Sequence, residues 1–111
     1  MVASKLDLDK MKSREFKTVN VNGTEFRLQG LSDRERAQWE VDSLNGKGKQ
    51  DPVKMESMRS RLIVKCLVNE DGKRLLMDED YRDVSDWQSC YTVPLFEACS
   101  KLVGLDDEDV D

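Results

Sequence analysis

The stretch that decides the fold is "EFKTVNVNGTEFRLQGLSDRERAQWE", Glu15 to Glu40. Its first part has a period of two. Phe16, Thr18 and Asn20 alternate with Lys17, Val19 and Val21, and after Asn22-Gly23 the alternation resumes as Thr24, Phe26 and Leu28 against Glu25, Arg27 and Gln29. Asn-Gly supplies the two left-handed residues of a tight turn, so the two runs read as the arms of a β-hairpin. The second part changes period. Ser32-Asp33-Arg34-Glu35 is a capping box, in which the Ser32 hydroxyl accepts from the Glu35 amide and Glu35 reaches back to Ser32. That predicts a helix running to about Leu44 and stopping at Asn45-Gly46. Ala37, Val41 and Leu44 form its expected apolar stripe, with Trp39 off the stripe. A lone hairpin is not stable in water, so one of its faces must lie on helices or on another chain.

Working outward, "NGKGKQ", Asn45 to Gln50, reads as a surface loop. Asp51 as cap and Pro52 in the first turn open a second helix. In it Met55, Met58, Leu62 and Cys66 fall at helical spacing, flanked by Ile63 and Leu67, the strongest periodic signal in the chain and its expected core. Asn69 to Gly72 ends that helix. Arg74 to Met77 reads as extended, Asp78 caps a brief helix, and Ser85 caps a further turn. Pro94 at a helix start predicts a last helix from Leu95 to Val103, closed by Gly104 and burying Leu95, Ala98, Cys99 and Leu102. Residues 1–14 mix Lys, Asp and Ser with only Leu6, Leu8 and Met11 as apolar anchors, which favours a flexible arm over a frayed helix. The expected architecture is therefore α+β, mainly α: about four helices with an N-terminal β-hairpin. A flexible arm at 1–14 precedes a single domain at 15–105, and an acidic tail at 106–111 follows it.

Composition narrows the function. Of 111 residues 38% are apolar and 37% charged, so the core is small, which suits a domain completed by a partner or by copies of itself. Five of the 23 acids lie in the last six residues, "DDEDVD", so the rest of the chain balances its 18 bases and no face is obviously basic. Nucleic acid is not an expected partner. No apolar run is long enough to span a membrane, and the N-terminal stretch has no apolar centre of the signal-peptide kind. Cys66, Cys90 and Cys99 make an odd count without a close pair, which points to free thiols in a reducing cytoplasm.

Candidate chemistry is sparse. "LVNEDGKRLLMDEDYRDV", Leu67 to Val84, is dense in carboxylates around Gly72. With Gly72 at the sixth position of a calcium loop, Asp71 and Asn69 fit positions five and three. Leu67 then falls at position one, where it cannot ligate, and Asp78 at position twelve is short for a bidentate ligand. The stretch reads instead as a turn that needs a positive φ at Gly72. The chain has no histidine, which removes the commonest general base and metal ligand. The cysteines lack metal-ligand spacing, and Cys66 and Cys99 read as buried core thiols. No nucleotide-binding or nucleophile motif is present. No catalysis, cofactor or metal is expected. Trp39 and Trp87 can anchor a protein partner or cover the hairpin, the second reading being favoured for both. Phe16, Phe26, Trp39 and Trp87 are the candidate protein-binding residues.

"RLIVKCLVNEDGKRLLMDEDYRDV", Arg61 to Val84, and "LFEACSKLVGLDDEDV", Leu95 to Val110, resemble the tail assembly chaperones of long-tailed, siphovirus-type bacteriophages. The matching features are Asn69–Leu75, the Asp78–Asp80 helix start, Leu95–Glu97 and the Gly104–Asp109 ending. "GTEFRLQGLSDRERAQWE", Gly23 to Glu40, also looks like the family's strand and capped helix. The resemblance covers residues 22–111. It departs at "SDWQSCYTVP", Ser85 to Pro94, where the family is usually Ala-rich and helical. It implies a protein of the host cytoplasm that binds the tape measure protein and keeps it soluble. It further implies help in recruiting major tail tube protein, absence from the mature virion, and commonly a longer frameshift product. The alternatives are a structural tail or head–tail connector subunit, and a host-directed regulator acting through the acidic tail.

Overall fold

The computed structural model describes residues 2–42 and 57–105. The expected loop at Asn45–Gln50, the Asp51-Pro52 helix start, Leu44, Met55 and the acidic tail lie outside the described residues.

The hairpin forms as the alternation requires. Strands β1 (Phe16–Val21) and β2 (Thr24–Gln29) pair antiparallel, with Val19 opposite Phe26 and Val21 opposite Thr24. Asn22 and Gly23 stand at φ +52° and +89°, the left-handed pair of the turn. Helix α2 (Asp33–Val41) starts on the capping box: Glu35 N donates to Ser32 Oγ at 3.2 Å and Ser32 N to Glu35 Oε1 at 2.8 Å. Its buried face is not the expected one. Ala37 and Val41 are exposed, and Trp39 is buried in the core with its Nε1 donating to Met58 O at 2.9 Å. One indole removes far more apolar surface from water than a methyl and an isopropyl group, so the helix turns to bury it. The indole thereby reaches the start of the next helix.

Helix α3 (Met58–Cys66) is the centre of the core, with Leu62, Ile63, Val64 and Cys66 buried. It ends earlier than its periodicity suggests. Leu67 turns extended, and Leu67–Val68 become β3, pairing with Leu28 and Arg27 to give a three-stranded antiparallel sheet of order β1-β2-β3. The free edge of β2 provides backbone partners that no local signal at Leu67 announces. Two side chains close the carbonyls that α3 leaves open: Arg74 Nη2 donates to Val64 O at 2.9 Å and Gln29 Nε2 to Lys65 O at 2.7 Å.

The carboxylate-dense stretch is a turn. Asn69 Oδ1 accepts from Asp71 N and Lys73 N, Gly72 N donates to Asn69 O, and Gly72 stands at φ +82°. A 3₁₀ turn at Asp78–Asp80 leads into α4 (Tyr81–Ser85). Helix α5 then runs from Ser89 to Leu102, with Pro94 inside it rather than at its start. The Ser89–Pro94 segment, where the sequence resemblance breaks off, is thus helical. Proline has no N–H for the carbonyl four residues back, and that carbonyl, Cys90 O, accepts from Asn22 Nδ2 at 3.1 Å. The hairpin turn therefore supplies the donor that Pro94 lacks. Cys66 and Cys99 are both buried and free; the adjacent Cys66 thiol, with burial, pushes the Cys99 thiol up, so it stays protonated.

At the N-terminus the stretch expected as an arm carries α1 (Lys5–Lys10), started by a Ser4–Asp7 capping box. The architecture is α+β and mainly α with an N-terminal hairpin. The described residues hold five α-helices and a third strand, beyond the about four helices and lone hairpin expected.

Candidate protein-binding surface

The four aromatic residues singled out by sequence do not form one patch. The pleat sends Phe26 to the inner face with Val19, half-buried against the core, and Phe16 to the opposite face, 41% exposed. There the Arg27 guanidinium lies 4.6 Å from the Phe16 ring centroid, and the ring abuts Gly72, where a Cβ would come within 3.1 Å of it. Phe16 thus packs the Asn69–Lys73 turn onto the sheet. Trp39 is 3% exposed and offers no surface. Trp87, between α4 and α5, is 36% exposed.

Exposed apolar groups cluster on and beside α1, while Val41, Leu75 and Met77 are exposed elsewhere at 56%, 58% and 64%. Leu6, Leu8 and Met11 are 73%, 51% and 73% exposed, and no α1 residue is buried. The segment after α1 is nonetheless tied down. Arg14 Nη1 donates to Gly30 O at 2.7 Å and to Glu35 Oε1 at 2.8 Å, and Gly30 N donates to Glu15 O. The Arg14 hydrogen bond holds the Glu35 carboxyl below the usual carboxylate range against its partial burial. Between this segment and the start of α2 lies a cleft of about 570 Å³, lined by Met11, Arg14, Gly30, Leu31 and Asp33, with Leu102 of α5. A cleft lined by both apolar and charged side chains, without a cluster of groups suited to bond-making, fits a protein side chain.

Two cationic features complete the surface. Asp78 accepts from Arg74 Nη2 at 2.9 Å and faces Lys65 Nζ at 3.4 Å. Burial alone would raise its carboxyl, but the Arg74 hydrogen bond and the Lys65 charge outweigh burial and hold it below the usual range. On α3 and α4, Arg61 and Arg82 both stand against the Tyr81 ring. Sequence reasoning missed this stack because Arg61 and Tyr81 are joined only by the fold. Among the described residues no group of three or more His, Cys, Asp and Glu could hold a metal ion, and no helix is long and apolar enough to cross a membrane.

This arrangement of hairpin, capped helix, central helix and sheet-joining strand is similar to the solved structure of the bacteriophage HK97 tail assembly chaperone. The TM-score is 0.62, over 88% of this chain and 94% of that one, at 18% sequence identity. The two chains share a fold. No family model matches the sequence, and no curated protein does.

Proposed function

We propose that this chain is a phage tail assembly chaperone that binds the tape measure protein and keeps it soluble. In this role it helps recruit tail tube protein, acts in the host cytoplasm and is absent from the mature virion. The observation that carries the reading is the shared fold, reached independently of the sequence motifs and extending over nearly the whole of both chains. The surface supports it. Exposed Leu6, Leu8 and Met11 and the neighbouring cleft suit apolar side chains of a helical client. Residues 1–14 serve as a binding arm, 15–105 as the domain, and 106–111 as an acidic tail that keeps a crowded complex soluble. Phe16 and Trp87 contribute contacts, with Phe26 and Trp39 acting from beneath. Copies of the chain, and a longer frameshift form, act together along one client.

The test is co-expression with the tape measure protein of the same phage. The soluble client fraction is measured with and without this chain, followed by co-elution. Rescue with co-elution is expected. A chain that neither rescues nor co-elutes, and that is found in purified virions, is a structural tail or connector subunit instead.

A further inference from the structure

Tyr81 opens α4, and its half-buried ring collects two guanidinium groups: Arg61 from α3 at 3.8 Å from the ring centroid and Arg82 at 5.7 Å. Each is oriented through its inner nitrogen. Arg61 Nε donates to Ser57 Oγ at 2.8 Å, and Arg82 Nε donates to the Tyr81 hydroxyl at 3.4 Å. The terminal nitrogens of both have no acceptor among the described residues. Arg14, Arg36 and Arg74 each hold a carboxylate in an ion pair. Among the described residues Arg61 and Arg82, like Arg27, Arg34 and Arg59, have no carboxylate in an ion pair. The hydrogen bond from Arg82 and the charge of Arg61 hold the Tyr81 hydroxyl below the usual phenol range.

We propose that Arg61 and Arg82, set on the Tyr81 ring, form a carboxylate-binding point on the α3–α4 face that docks an acidic segment of a protein partner. This rests on the reading that the chain works by binding proteins. A guanidinium laid on a ring keeps its edge N–H groups free, in the fork geometry that matches a carboxylate. Stacking also fixes the side chain before the partner arrives, so less conformational entropy is lost on binding. Tyrosine and arginine are the residue types that concentrate binding energy at protein interfaces. Two guanidinium groups, with Asp78, Glu79, Asp80 and Asp83 flanking Arg82 in sequence, make a point of positive charge and not the basic stripe that follows a nucleic-acid backbone.

Two measurements on the full chain test the proposal. The first compares retention of the co-expressed tape measure protein by the wild-type chain, Arg82→Glu, and Arg61→Gln/Arg82→Gln. The Arg82 side chain is exposed, so Arg82→Glu keeps the parent thermal unfolding curve, and it weakens retention about tenfold or more. The second titrates a short Glu-rich peptide, a Lys-rich peptide and a short RNA, following the arginine Nε–Hε signals by NMR. The Glu-rich peptide shifts the signals of Arg61 and Arg82, and the others do not. Unchanged retention by a folded Arg82→Glu chain overturns the proposal, as does an RNA that shifts the same signals as strongly. If the wild-type chain retains no client, the functional reading fails, while the peptide titration still decides the docking point.

Discussion

Replacing Asn22 by glycine separates one hydrogen bond from the turn that carries it. Asn22 stands at φ +52°, which glycine adopts freely, so the hairpin turn survives the change. What is lost is the 3.1 Å bond from Asn22 Nδ2 to Cys90 O, the carbonyl that Pro94 leaves without its helical amide. A neutral hydrogen bond contributes about 0.5–1.5 kcal/mol net. Asn22 and Cys90 are exposed, so water replaces part of it and the cost of Asn22→Gly falls near the lower end, about 0.5–1 kcal/mol. Asn22→Ala loses the same bond and, unlike glycine, keeps a Cβ in the left-handed region without asparagine's polar side chain to offset it, so it costs about 1 kcal/mol more than Asn22→Gly. The deciding variant is Pro94→Ala, which restores an amide to Cys90 O. In that background Asn22→Gly has less to remove, and the double-mutant cycle shows coupling of about 0.5 kcal/mol or more. Urea unfolding of the four chains, with equal m-values, measures it. A cost for Asn22→Gly that is the same with and without Pro94 refutes the reasoning.

Gly72→Ala places a Cβ at φ +82° and 3.1 Å from Phe16 Cζ, and it should lower stability by about 1–2 kcal/mol in thermal unfolding. In a Phe16→Ala background the steric share disappears and only the backbone strain remains; an equal cost in both would remove the Phe16 contact from the account. Trp39→Phe keeps most of the apolar volume and loses the bond to Met58 O, costing about 1–2 kcal/mol, whereas Trp39→Ala costs about 3–5 kcal/mol. Loss of client binding in Trp39→Ala then tracks unfolding measured by near-UV circular dichroism; binding lost from a fully folded Trp39→Ala chain would contradict this. The Glu35 carboxyl is depressed by Arg14 below its ordinary value of 4.5. Its contribution is therefore present above that value and lost as pH falls through the lower folded value. Glu35→Gln should destabilise by less than about 1 kcal/mol at neutral pH, the pair being partly exposed, and by nothing once the pH is below the folded value. A pH-independent difference between the two chains would assign the effect to the capping bond alone.

What was legible in the sequence was local. Asn22-Gly23 fixes the hairpin, and Ser32 with Glu35 fixes the start of α2, because turn and cap preferences act over a few residues. The two-residue turn also sets Val19 opposite Phe26, so the placement of Phe16 on the other face could have been derived from the register. The Ser4–Asp7 box at the start of α1 was a readable signal of the same kind. What was not legible depends on distant partners. Leu67 and Val68 continue the helical pattern of α3 and leave it only because β2 offers an edge. Pro94 reads as a helix start until Asn22, from the other end of the chain, is seen to hold the carbonyl it orphans. Counting apolar positions puts the stripe of α2 on Ala37 and Val41 because it weighs Ala37 equally with Trp39, while burial weighs them by area. The Arg61–Tyr81–Arg82 stack has no local signal at all.

The exposed apolar groups bear on how tightly one copy can hold a client in the proposed role. Fully burying Leu6, Leu8 and Met11 against a helix stabilises the complex by about 1.5–3 kcal/mol each at most. Part of that area is covered already, since Leu8 is only half exposed. Association itself costs about 4–15 kcal/mol in lost freedom. The balance for a single copy is close to zero, so one chain on one stripe dissociates readily. Additional docking points on the same chain, and additional copies on one long client, add their favourable terms without repeating the whole cost. Strong holding then depends on number rather than on any single contact. In the proposed role, a subunit displacing one copy would have to overcome only that copy's small share. A chaperone held by a deep apolar groove could be displaced only by something that bound more tightly still. The modest, dispersed surface of this chain avoids that requirement.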